Sequence, residues 1–196
     1  MMIYILQLPK PSDDLINLVK EIALSKPLNL ESKRWLDSVQ NTKVNSAAAD
    51  FSVDDKITYL GKQEFQSFFK EPMKPIIGII HNVDTTLPAV YPPHTDRIRT
   101  LSINYYIELG GDNVNTVFYD KRDQDDDMIG GNVLSYNQLQ IKNKYKFETG
   151  FWYLLDSKRF HSVENIMTSR IMLGLSFVVS ADKILEAVEH SICQPC

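Results

Sequence analysis

The chain has 196 residues, 43% of them hydrophobic and 23% charged, with a formal net charge of −4. This is ordinary globular composition for one domain, or one domain with a helical extension, and it excludes a disordered chain. Nothing in the charge balance favours general binding to nucleic acid or an anionic membrane, so neither is expected as a partner.

The opening MMIYILQL is apolar but short and lacks a basic region before it, so it reads as a first strand and not a signal peptide. No apolar run approaches the ~18–20 residues needed to span a bilayer, and the expected location is cytoplasmic. SDDLINLVKEIALS (12–25) predicts a helix. Ser12 is its N-cap, and two aspartates in the first turn suit the helix dipole. Leu15, Ile16, Val19, Ile22 and Ala23 then share one helical face. A second short helix is expected over 62–70, stopped by Glu71-Pro72.

From about residue 75 the pattern changes to period two. Strands are expected at 75–83, 101–109, 115–120, 132–142, 150–156, 161–166 and 170–179, each bounded by turn-forming residues. ADKILEAVEHSI (181–192) reads as a final helix. Helices do not alternate with strands, so a parallel α/β sheet is not expected. The pattern predicts a mainly β fold, a sandwich or jelly roll, with a helical N-terminal part packed outside. The expected single domain divides into helix-rich support (1–74), β core (75–179), and a C-terminal helix and tail (180–196). Cys193 and Cys196 form a lone Cys-x-x-Cys in the last four residues, where chains fray, and no role is assigned to them.

The run YPPHTDRIRTLSINYYIEL (91–109) carries a His-x-Asp pair at the mouth of a strand. Strand residues i and i+2 point to one side, so His94 and Asp96 can present an imidazole and a carboxylate to one point. Non-haem iron(II) is held by two histidines and one carboxylate, with other positions left open. Of the remaining histidines, His190 falls near the end of the terminal helix, and His81 ends a strand-like run as a structural residue. His161, opening HSVENI, is the best third ligand. Arg170 begins an apolar strand, and a hairpin turning at Met167–Ser169 would set it beside His161. Arg170, Met172, Gly174 and Ser176 share one face of that strand; Ile171, Leu173, Leu175 and Phe177 share the other. An Arg so placed needs an anionic partner or a route to water, and a dicarboxylate would supply a bidentate one.

His94-Thr95-Asp96, His161 and Arg170, with FHSVENIMTSRIMLGLSF around the last two, resemble the Fe(II)- and 2-oxoglutarate-dependent oxygenases, over about residues 75–179. The resemblance implies a double-stranded β-helix, the distorted jelly roll of that family. It also implies that His94, Asp96 and His161 bind Fe(II) and serve catalysis, and that Arg170 anchors 2-oxoglutarate. The implied activity hydroxylates a substrate with dioxygen, releasing succinate and carbon dioxide. Spacing around the motif is similar to prolyl hydroxylase-like members, which act on peptidyl or free amino-acid residues; a peptide or small-molecule substrate is therefore expected.

If 94–106 is one unbroken strand, then His94, Asp96, Ile98, Thr100, Ser102, Asn104 and Tyr106 share the polar, metal-facing side. Leu101, Ile103, Tyr105, Ile107 and Leu109 share the apolar side. Tyr106 becomes the second hydrogen-bond donor to 2-oxoglutarate, since prolyl hydroxylase-like members use a strand tyrosine there, and Asn104 a further contact. A bulge would exchange Tyr106 for Tyr105, which otherwise reads as core.

Where many members carry Ser two residues after the Arg, this chain has Met172. A non-catalytic jelly-roll binding module and a zinc hydrolase built on the same three ligands stay open as alternatives. KRDQDDDMIGGN (121–132) lacks EF-hand spacing and reads as a solvated loop, with a lid as the functional alternative. Arg97, Arg99, Lys158 and Arg159 read as surface charge, and Trp152 as core. The substrate and oligomeric state are not encoded in any of these motifs.

Overall fold

The computed structural model describes residues 3–27, 45–84, 86–96, 101–122 and 134–177, and the backbone of 192–195. Its strands are β1 (Tyr4–Leu6), β2 (Ala48–Ser52), β3 (Met73–His81), β4 (Ala89–His94), β5 (Leu101–Leu109), β6 (Asn115–Lys121), β7 (Leu139–Tyr145), β8 (Trp152–Asp156), β9 (Phe160–Ile166), β10 (Arg170–Phe177) and β11 (Ile192–Pro195). Among the described residues, two α-helices, α1 (Asp13–Ser25) and α2 (Asp55–Phe65), accompany the strands. No helix among the described residues is long and apolar enough to cross a membrane.

The strands form a large sheet in the order β11-β1-β8-β5-β10-β3-β2 and a small sheet in the order β4-β9-β6-β7. All of the pairings between these strands are antiparallel. Inner faces of the two sheets pack together through Tyr106, Phe118, Tyr153 and Met172 in one cluster, and through Ile80, Val163 and Ile166 in another. The fold is the expected jelly roll, mostly β, with a minor helical contribution.

Both helices cover the outer face of the large sheet. α1 is capped by Ser12, whose Oγ accepts the Leu15 N–H at 3.2 Å, and it buries Leu15, Val19 and Ala23. The sheet offers Ile103, Tyr105, Trp152, Leu154, Ile171, Leu173, Leu175 and Phe177 in return. Burying each large apolar side chain contributes roughly 1.5–3 kcal/mol. Alternation along β10 is as expected: odd-numbered residues meet the helices and even-numbered ones face the small sheet. Trp152 is core, and its Nε1–H donates to the Pro9 carbonyl at 2.9 Å.

Several expected boundaries shift. The second helix begins at Asp55 rather than 62, because Asp54 accepts the Lys56 and Ile57 N–H groups at 2.9 and 3.1 Å. Ile57, Gly61 and Phe65 then repeat every four residues on its buried side. Gly61 has to be small: a Cβ there would stand 2.6 Å from Pro75. β2 and β4 were not expected. β7 starts only at Leu139, after a 3-10 turn over Tyr136–Gln138 whose capping box is closed by Ser135 and Gln138.

Two corrections bear on the site. Residues 94–106 are not one strand: β4 ends at His94 in the small sheet, and β5 begins at Leu101 in the large one. His161 and Arg170 do not share a hairpin either. β9 and β10 belong to different sheets, and the chain crosses between them at Met167–Ser169. The crossing is held by the Gly110 carbonyl, which accepts the Met167 and Thr168 N–H groups at 2.8 and 2.9 Å. Gly110 makes this possible with φ of 87°, a left-handed conformation that glycine tolerates. The expected terminal helix lies outside the described residues except for Ile192, which instead opens β11. His190, Cys196, Arg97, Arg99 and positions 123–132 of the expected loop also lie outside them.

Candidate metal centre

In the β4–β9 pairing, His94 stands opposite His161. Opposed residues of an antiparallel pair project to the same face, and the two imidazoles meet on the inner side with ring centroids 4.3 Å apart. Asp96 follows just beyond β4. Its backbone N–H donates to the Ser157 carbonyl at 2.8 Å, and its Oδ1 lies 3.8 Å from His94 Nε2. One donor atom from each of His94, Asp96 and His161 falls within 4.8 Å of the others. Donor atoms bound to one first-row metal by bonds of ~2 Å lie within roughly 4 Å of one another, slightly tighter than here.

The surrounding bonds prepare these ligands. His94 Nδ1 lies 2.8 Å from the Pro92 carbonyl, and His161 Nδ1 lies 2.9 Å from the Arg159 carbonyl. A carbonyl only accepts, so each Nδ1 carries the proton, and the lone pair falls on Nε2. Both histidines thus hold the tautomer a metal requires, by the outer-shell device common at such sites. Ser102, from β5 of the other sheet, donates its hydroxyl to Asp96 Oδ2 at 3.2 Å. Lys158, expected as plain surface charge, donates Nζ to the Asp96 backbone carbonyl at 3.0 Å. Arg159 pairs with Asp120 and Asp156, each at 3.5 Å.

The three residues line a pocket of about 500 Å³ counting its open mouth. Arg170, Tyr106 and Asn104 line the same pocket from the large sheet. Arg170 is only 4% exposed, yet no carboxylate among the described residues pairs with it. Its guanidinium lies 4.3 Å from the Tyr106 ring centroid and donates Nη2 to Thr116 Oγ1 at 3.3 Å. Tyr106 in turn stacks on Phe147 at 5.0 Å. Asn104 is buried with Oδ1 lacking a hydrogen-bond partner. A buried cation and an unsatisfied amide facing one cavity are costly unless a ligand completes them.

Tyr106 lines the pocket and Tyr105 does not, while the premise of one continuous strand over 94–106 fails. Ser102, Asn104 and Tyr106 reach the pocket because β5 turns this face towards the small sheet. A bulge does occur in β5, but after Tyr106: Met172 pairs with Tyr106 and Ile171 with Glu108, leaving Ile107 extra. That slip carries Leu109 to the inner cluster instead of the helix-facing side. Tyr105 packs on Trp152 at 5.2 Å under the helices, where burial raises the pKa of its hydroxyl.

His81 stays out of the metal group; its Nδ1 lies 2.8 Å from Ser169 Oγ. Thr116, Phe118, Tyr91 and Phe51 line the pocket and were not singled out from sequence. The signal for Thr116 was the alternation of NTVFYD, which places it on the same face as Phe118.

No family model matches the chain, and no curated protein matches it. Solved structures do. A prolyl hydroxylase from Trichoplax adhaerens, in complex with a hypoxia inducible factor oxygen degradation domain peptide fragment, is 12% identical with a TM-score of 0.49, covering 93% of this chain and 86% of that one. A 2OG-Fe(II) oxygenase family oxidoreductase from Burkholderia pseudomallei is 10% identical at TM-score 0.36, covering 84% and 89%. An L-ribose isomerase from Cellulomonas parahominis is 13% identical at TM-score 0.37, covering 86% and 84%. Likenesses this distant leave the chemistry to the side chains of this chain. Prolyl hydroxylases and a 2OG-Fe(II) oxygenase family protein are among its structural neighbours.

Proposed function

We propose that the protein is an Fe(II)- and 2-oxoglutarate-dependent dioxygenase that hydroxylates a peptidyl or free amino-acid substrate, with release of succinate and carbon dioxide. The observation that carries this reading is the buried guanidinium of Arg170, without a carboxylate partner among the described residues, in the pocket that holds His94, Asp96 and His161. A zinc hydrolase has no use for that cation. An enzyme that takes a dicarboxylic keto acid does, because a carboxylate paired with Arg in a desolvated pocket gains strong charge-assisted bonds.

The donor set fits iron(II): two imidazole nitrogens and one carboxylate, gathered at one end of the pocket. Iron so bound supplies the oxygen chemistry that couples oxidation of the keto acid to oxidation of the substrate. The chain's own residues bind and orient. His94 and His161 offer Nε2 because their Nδ1 protons are tied to carbonyls. Ser102 orients the Asp96 carboxylate. Arg170, stacked on Tyr106, holds the far carboxylate of 2-oxoglutarate, with the Tyr106 hydroxyl and Asn104 amide as further polar contacts. The apolar residues Phe118, Val163, Leu155 and Met172 restrict water in the same pocket.

The test is succinate release from 2-oxoglutarate with iron(II) and dioxygen, against a panel of peptides and amino acids. Iron- and 2-oxoglutarate-dependent turnover is expected, and it is lost in His94→Ala. Succinate formation undiminished in that variant would overturn the metal-site assignment. Absence of 2-oxoglutarate binding by the metal-loaded protein would overturn the function.

A further inference from the structure

The turn between β8 and β9, Ser157 to Arg159, grips two of the three candidate ligands at once. The Ser157 carbonyl accepts the Asp96 N–H at 2.8 Å, and Lys158 Nζ donates to the Asp96 carbonyl at 3.0 Å. The Arg159 carbonyl takes the His161 Nδ1 proton at 2.9 Å. The turn is itself anchored. Lys158 donates its N–H to Asp156 Oδ1 at 3.1 Å, and the Arg159 guanidinium lies 3.5 Å from both Asp120 and Asp156. Asp96 depends on such a hold because it lies beyond the end of β4 at His94, where the sheet ladder no longer fixes the backbone. Lys158 is exposed, and holding a long side chain in one place at the surface costs entropy. Charge alone gives it no use there, since an ammonium beside a divalent cation repels it. Its hydrogen bond acts in the opposite sense: it fixes the Asp96 peptide and so the direction in which the carboxylate leaves the chain.

We propose that Lys158 is a positioning residue for Asp96. With Ser157 it clamps the Asp96 backbone from both sides of the residue, so that the carboxylate, oriented by Ser102, is presented beside His94 and His161 to a divalent metal. The inference rests on the proposed metal site and goes beyond it, by assigning a role to a surface lysine that acts through Asp96. Two effects of opposite sign then meet in one side chain. Its charge disfavours the metal, and its hydrogen bond favours it. The bond dominates, because solvent screens an exposed charge, while an outer-shell contact that orients a ligand is worth roughly tenfold in metal affinity.

The experiment titrates the metal-free protein with cobalt(II) and follows its visible absorption, which reports ligand geometry as well as affinity. Lys158→Met keeps the length of the side chain and removes the donor. It should bind cobalt(II) about tenfold more weakly than wild type, with an altered absorption spectrum in the bound state. Lys158→Arg, which restores a donor, should recover most of both. Thermal midpoints of the metal-free proteins should stay close to wild type, because the lysine is at the surface. The inference is overturned if Lys158→Met binds cobalt(II) as wild type does, or more tightly, the latter being the mark of a bystander charge. It is equally overturned if the bound spectrum of Lys158→Met is that of wild type, or if Lys158→Arg is as defective as Lys158→Met. His94→Ala, titrated in parallel, separates the two levels. Cobalt(II) bound equally well by wild type and His94→Ala, or by neither, sinks the metal site itself and not Lys158 alone.

Discussion

Arg170 lies over the ring of Tyr106 at 4.3 Å, so the cation is held flat against an aromatic face rather than against an acid. The stack fixes the direction in which the guanidinium presents its remaining donors. Tyr106→Phe keeps the ring and removes the hydroxyl. It should weaken 2-oxoglutarate severalfold with no loss of thermal stability. Tyr106→Leu should weaken it further, since it also frees the guanidinium. A titration of 2-oxoglutarate against each variant checks the order, and equal affinities across the three proteins would refute it.

Arg170 is a case where function and stability pull apart. An unpaired buried charge is destabilising, and an apolar residue of similar length relieves it. Arg170→Met should raise the stability of the ligand-free protein by about 1–2 kcal/mol, seen as a higher urea midpoint. The same variant should lose stabilisation by added 2-oxoglutarate, which the wild type should show.

Loss of a metal ligand should act without unfolding the chain. His94→Ala or His161→Ala should retain the thermal midpoint of metal-free wild type within a few degrees. Each should release iron on dialysis and lose turnover. Ser102→Ala is the graded case: it removes only the hydroxyl that orients Asp96, and metal affinity should fall about tenfold. Metal analysis after dialysis at several iron concentrations distinguishes these levels.

His81 makes a prediction about pH. Burial lowers its pKa from the ordinary value of 6.5, against a smaller opposing influence of Asp50. The unfolded chain therefore takes up a proton at a higher pH than the folded chain does. Stability should be unaffected by this group well above pH 6.5 and should fall as pH drops through 6.5 towards the folded-state pKa. In His81→Gln, the fall in urea midpoint over this window should be shallower than in wild type.

Gly174 tests how tightly the pocket floor is built. A Cβ there would lie 2.7 Å from Ile76 Cγ1 and 3.3 Å from Asn104 Oδ1. Gly174→Ala should cost about 1–3 kcal/mol by overpacking and should weaken 2-oxoglutarate as Asn104 is displaced. Unfolding curves and ligand titration of the one variant read both effects.

Much of this was legible from local pattern. Strand alternation separates the helix-facing residues of β5 and β10 from those facing the small sheet, and the cap at Ser12 marks the start of α1. The grouping of His94, Asp96 and His161 was legible because a His-x-Asp pair, a later His and a following Arg form a constellation of residue types. What local pattern could not show is which sheet a strand joins. His94 and Leu101 look like parts of one strand, yet they lie in facing sheets; His161 and Arg170 look like a hairpin, yet the chain crosses the barrel between them. Strand partners depend on contacts distant in sequence, and period two is the same in either sheet. Thr116 was overlooked for a related reason: its contact is with Arg170, which reaches it across the interior.

The candidate metal ligands His94, Asp96 and His161 belong to the small sheet and its edge, while Arg170, Tyr106 and Asn104 belong to the large one. A keto acid held by both groups, as proposed, would be a rivet through the sandwich. Its arrival should damp the motions that splay one sheet from the other more than those within either sheet. Amide exchange in β5, β6, β9 and β10 would then slow together on ligand binding, while exchange in the outward-facing α1 stays unchanged.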